Sequence, residues 1–119
     1  MLYGQVIEAE SQHCVLGHVL KANNAWERAR GLLGRTRLNE KQGFWLEPCP
    51  SVHTFGMRYA LDIVFLDKDS KVIKVVENLK PLRFANCFSA SSTLELLAGQ
   101  AGSLGIKSGM QLIWKEELS

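Results

Sequence analysis

The sequence predicts a mainly β domain: a small antiparallel sandwich or barrel of jelly-roll-like type, with one helix near its N-terminus. Three observations carry this expectation. The β-branched and apolar runs Leu61–Leu66 and Val72–Val76 flank the polar turn Asp67–Ser70 and read as a hairpin. Other short apolar runs are separated by turn residues such as Pro48, Pro50, Pro81, Gly99 and Gly105. Strands and helices do not alternate along the chain, which argues against parallel βαβ units.

The elements follow in order. Residues 15–22 form a short apolar strand. Asn24 can cap a helix, with Glu27 three residues on in capping-box position. Trp26, Ala29 and Leu33 recur at helical spacing, and Gly34 suits the residue after a helix end, so the helix is expected over about 24–33. Gly31 inside that span costs roughly 1 kcal/mol relative to Ala, which suggests close packing there. Gly43–Leu46 is a strand stopped by Pro48 and Pro50. Residues 52–57 alternate, with His53, Phe55 and Met57 on one face and Thr54 and Gly56, followed by Arg58, on the other. The run 61–66 is nearly all apolar and should be buried on both faces. A loop runs from Pro81 to about Phe88. Residues 93–97 fit strand or helix equally well. A second short helix is expected near 99–104, and Gln111–Lys115 is the last strand.

Composition limits the function. The 119 residues are 46% hydrophobic and 22% charged, as in an ordinary globule, and suit a single domain over 1–119. No apolar run approaches the ~18–20 residues of a membrane span. The first residues lack a basic segment followed by an apolar one, so a cytoplasmic location is expected. The net charge of +2 is unevenly placed. Residues 1–60 hold seven basic and five acidic groups, and residues 61–119 hold seven of each. The excess gathers at Arg28, Arg30, Arg35, Arg37 and Lys41, which could meet a phosphate or an acidic partner. It is small for a nucleic-acid binder, and no aromatic residues are interleaved with it, so nucleic acid is an unfavoured partner. The three cysteines, Cys14, Cys49 and Cys87, cannot all pair within the chain, and no CxxC is present.

Four blocks carry a family resemblance: Arg28–Arg35 (RARGLLGR), Ser51–Arg58 (SVHTFGMR), Leu61–Asp67 (LDIVFLD), and Leu94–Gly99 followed by Leu104–Gly109. In this order they resemble the bacterial and archaeal family called domain of unknown function 192, an uncharacterised ancient conserved region, over about residues 26–115. The resemblance implies a mainly β sandwich or jelly-roll fold with an N-terminal helix, and no established activity. The chain departs from the family's pattern at Ala60 and Leu97, where Pro is common, and at Met110, where an acidic residue is usual.

Candidate chemistry is sparse. Cys49 and His53 have the residue types of a nucleophile and its base, but four residues of extended strand hold them ~13 Å apart. Cys49, His53 and Cys87 are possible thiolate and imidazole ligands, with spacing wide for zinc; neither metal nor cofactor is expected. Asp62 is a further candidate base. Arg28 and Arg35, seven apart, would share a helix face with Gly31 and clamp a small anion, or pair with Asp62 or Glu95. Thr54, Gly56 and Arg58 would edge a pocket over the sheet where the glycine leaves room. The expected function is therefore a non-catalytic binding or accessory domain recognising a small anionic molecule or a protein partner. The alternative is a small hydrolase or metal-dependent enzyme using Cys49, His53 and Asp62.

Overall fold

The computed structural model describes residues 1–32, 37–49, 51–54 and 57–117. Its strands are β1 (Leu2–Glu8), β2 (Cys14–Lys21), β3 (Gln42–Leu46), β4 (Ser51–His53), β5 (Leu61–Leu66), β6 (Val72–Leu79), β7 (Phe84–Asn86), β8 (Ser92–Leu97) and β9 (Leu112–Glu116). The helices are α1 (Ala25–Arg30) and α2 (Gln100–Ser103). Seven strands form one mixed sheet in the order β6-β5-β8-β3-β2-β1-β9, and β4 and β7 form a separate pair. The mainly β expectation holds.

Strand alternation builds two apolar layers from alternate residues of the same strands. Val64 on β5, Trp45 on β3 and Leu94 and Leu96 on β8 point to one side of the sheet. There they meet Val6, Leu16, Val19 and Leu112. Ile63 and Phe65, with Phe44 and Leu46, point the other way, against Leu32, Leu38, Val52 and Ala85. Strand β5 lies between the two layers, so all six of its residues are buried. Each large apolar side chain removed from water contributes about 1.5–3 kcal/mol, and these central strands contribute on both faces.

The hairpin of β5 and β6 is antiparallel, with Val64 opposite Val75. Residues 93–97 fall within β8, which pairs with β3 on one side and β5 on the other. The second short helix lies where it was expected, at Gln100–Ser103.

Several expectations are corrected. The sheet is mixed, because β2 and β3 run parallel from His18 opposite Gln42 to Lys21 opposite Trp45. The connection that carries α1 is long enough for that crossover. The barrel does not close. Edge strands β6 and β9 approach at a single bridge, Lys71 to Gln111, backed by Val72 N–H donating to Met110 O at 2.8 Å. Strands β1 and β7 were not expected. The helix is shorter than 24–33: it ends at Arg30, where Gly31 adopts φ +56° and donates its N–H to Glu27 O at 3.0 Å. Asn24 caps it as expected, accepting from Glu27 N–H at 2.9 Å. The proposed apolar stripe does not face the core: α1 buries no side chain and Trp26 is 74% exposed. The remaining helical signals, Leu33 and Gly34, lie outside the described residues.

Candidate functional site

The site grows from one carboxylate in the wrong kind of neighbourhood. In the run Thr93–Leu97, strand alternation sends Leu94 and Leu96 into one apolar cluster and Glu95 to the opposite, equally apolar face. There Glu95 lies between its cross-strand partners Phe44 on β3 and Ile63 on β5, both fully buried. Glu95 itself is only 7% exposed. Among the described residues its carboxyl group has neither a hydrogen-bond nor an ion-pair partner. Burial pushes its pKa up to about 7, because an apolar setting disfavours the charged form.

That carboxyl group opens into a cavity of about 170 Å³ between the end of α1 and the strands β3, β4 and β8. Arg28, Arg30 and Gly31 line it from α1 and its cap, and Cys49, Ser51 and Val52 from β4 and the segment before it. Gly31 faces Glu95: a side chain there would begin 4.0 Å from Glu95 Oε1, an ordinary contact. Its positive φ, more than crowding, is the reason for glycine. Arg28 is half-buried and makes a long contact from Nη1 to Glu47 O at 3.5 Å. Arg28 and Glu95 share the cavity without forming an ion pair.

Cys49 is fixed beside them. Its N–H donates to Ser91 O at 3.2 Å, its thiol to Ser51 O at 3.0 Å, and its carbonyl accepts from Thr93 Oγ1 at 2.6 Å. Burial raises the thiol's pKa, and the Glu95 charge adds to that. A thiol held above its ordinary range supplies little thiolate near neutrality and is a poor nucleophile.

Asp62 stands elsewhere. Ile63 is opposite Glu95, so Asp62, one residue away, projects from the other face of the sheet. It is fully buried, and its carboxylate accepts three backbone N–H groups: Asn78 at 2.9 Å, Gly99 at 3.0 Å and Ala101 at 2.9 Å. The arginine pairing expected for it is therefore corrected. Backbone amides satisfy this charge and hold the start of α2 against β5. Asp62 does not join Cys49 in one site.

The pocket expected over Gly56 rested on a strand that stops at His53. Thr54 turns fully inward, donates to Lys80 O at 2.7 Å and accepts from Arg83 N–H at 2.8 Å. Its hydroxyl ties the loop 80–83 to β4. Arg58 is exposed, and Met57 before it donates its N–H to Thr54 O at 3.1 Å. Arg35, Gly56 and the side chain of His53 lie outside the described residues. Among the described residues, no three His, Cys, Asp or Glu side chains gather as metal ligands.

A second cavity, about 370 Å³, lies across Leu32 and is lined by residues that include His18, Leu20, Leu38 and Gln42. It is larger but contains no buried charge. Among the described residues, Arg37 and Glu117 on that cavity are exposed, whereas the smaller cavity holds a buried carboxyl group beside a half-buried guanidinium. In the sequence, Glu95 figured only as a partner for an arginine. The available signal was a lone acid inside an otherwise apolar strand.

Fold and site together define a small mainly β protein, a seven-stranded mixed sheet that does not close into a barrel, with a partly open polar cavity between α1 and the sheet. The chain belongs to the DUF192 family (domain of unknown function 192, Uncharacterized ACR), whose model matches residues 6–114 and so reaches back to β1. It is similar to a protein of unknown function from Novosphingobium aromaticivorans, at 24% identity and a TM-score of 0.75, over 94% of this chain and 84% of that one. It is also similar to a Sinorhizobium meliloti protein provisionally assigned as a transcription regulator, at 22% identity and a TM-score of 0.79, over 95% of this chain and 92% of that one. At these identities the likeness is one of fold. No curated protein matches the chain.

Proposed function

We propose that the protein is a binding module for a small organic anion, with the cavity beside α1 as its site and Arg28 as the group that holds the ligand's charge. The observation that carries this reading is Glu95, nine-tenths buried and without a hydrogen-bond or ion-pair partner among the described residues, opening into a cavity that Arg28 also lines. The Glu95 carboxyl opens onto the cavity, so its partner there is supplied by whatever fills the cavity, solvent or ligand. At about 170 Å³ the cavity is well below the ~300–1,000 Å³ typical of drug-sized ligands, so the ligand has only a few carbons. Arg28 offers the planar donor fork that suits a carboxylate.

The hydrolase reading has weaker support, since Asp62 is committed to three amides and the Cys49 thiol is held above its ordinary pKa. Thermal-shift titration with small carboxylates and with inorganic phosphate tests the proposal. Stabilisation by one of these anions is expected, and it should be lost in Arg28→Ala. An equal shift in Arg28→Ala, or no shift with any anion, would overturn it.

A further inference from the structure

An anion in this cavity would face a carboxyl group as well as a guanidinium. Glu95 reaches it from β8, Arg28 and Arg30 from α1, and the Cys49 thiol from the segment before β4. Phe44 on β3 and Ile63 on β5 flank Glu95 in the sheet, and Leu32, Leu46 and Val52 are the cavity's apolar lining. Arg30 is exposed to solvent, which screens its contribution, so Arg28 is the principal fixed charge. A second ionised carboxylate within about 170 Å³, beside Glu95 and the apolar Leu32, Leu46 and Val52, raises the cost of the first one's charge. One proton must then lie between them. With Glu95 neutral, its O–H donates to one ligand oxygen and Arg28 donates to the other. Arg28 and a monoanion cancel, whereas a phosphate dianion would leave a buried excess negative charge.

We infer that the cavity takes a small monocarboxylate together with one proton, and that Glu95, by donating to the ligand, decides which anion is accepted. This rests on the anion-binding reading above and adds the ligand's class and its coupling to protons. Below about pH 7 Glu95 already carries the proton, and binding takes up none. Above it the complex takes one proton from solvent, and affinity falls about tenfold for each further pH unit.

Calorimetric titration of the full chain with acetate, propionate and inorganic phosphate tests the inference. It should be run at about pH 6 and about pH 8, in two buffers of different ionisation heat. Acetate or propionate should bind about tenfold more weakly at the higher pH, with nearly one proton taken up there. Glu95→Gln keeps a permanent N–H donor, so it should bind within a few-fold of the parent at the lower pH and lose the pH dependence. Carboxylate binding with a flat pH profile, or a preference for phosphate that grows with pH, overturns the inference and leaves the anion-binding reading standing. No binding of any of the three at either pH overturns both. The buffer comparison on the unaltered chain decides the matter even if Glu95→Gln does not fold.

Discussion

Two acids on adjacent strands meet burial in opposite ways, and the difference is testable residue by residue. Asp62 is fully buried and satisfied by three backbone amides, so truncating it leaves three donors without a partner. Asp62→Ala is expected to destabilise the fold by about 3–5 kcal/mol, read by denaturant unfolding. Melting like the parent protein would contradict this. Glu95 is buried without such help, and its pKa is raised from 4.5 to about 7. Between those two values the folded chain keeps a proton that the unfolded chain has released. Stability is therefore fully present below about pH 4.5 and is lost as pH rises through about 7. Glu95→Gln should remove that dependence. Its advantage over the parent should be absent near pH 4.5 and reach on the order of 3 kcal/mol near pH 8. Chemical melts at several pH values would settle the sign.

At the scale of elements, the second layer depends on a few side-chain anchors. The pair β4 and β7 is only three residues long on each side. An isolated pair of that length does not hold in water. Val52 and Ala85 fasten it to the outer apolar layer, and the Thr54 hydroxyl fastens the loop that leads into β7. Thr54→Val keeps the shape and deletes the hydroxyl. It should cost about 1–3 kcal/mol and raise amide exchange first at Arg83, whose N–H loses its acceptor. Unchanged protection at Arg83 would contradict the anchoring role. Helix α1 is different: six residues, capped at Asn24 and ended by Gly31, with no buried face. It presents Arg28 to the cavity without contributing to the core.

At the scale of the molecule, the β9 edge of the seven-stranded sheet depends on how closely β9 can approach β1. Gly4 is opposite Glu116, and a side chain at Gly4 would come within 2.3 Å of Lys115 O and 2.6 Å of the Trp114 ring. Backbone cannot yield as a flexible side chain can. Gly4→Ala should therefore open the β1–β9 pairing, at a cost of about 1–3 kcal/mol or more. A lower melting temperature with weakened protection of β9 amides is expected. The bridge between Lys71 and Gln111 joins the two sheet edges, so loosening β9 should also be felt at β6. No helix among the described residues is long and apolar enough to cross a membrane.

Local pattern alone determined the hairpin of β5 and β6, the double burial of β5, the Asn24 cap and the mainly β character. In each case the deciding forces act between near neighbours: alternation, β-branching, a polar turn, a side-chain cap. The pattern failed where distant segments decide. Strand β1 spends one inward position on Gly4, so its alternation carries little signal until Trp114 is seen to fill that space. Residues 52–57 alternate like a strand, but Thr54 leaves the strand because the loop 80–83 supplies better partners for its hydroxyl and backbone. Cys49, Arg28 and Asp62 were legible as candidates, but their company was not. Register put Glu95 on the face with Arg28 and Cys49, and Asp62 on the other. A one-residue difference along a strand reverses the face, and only the pairing of β5 and β8 with their neighbours decides what waits there.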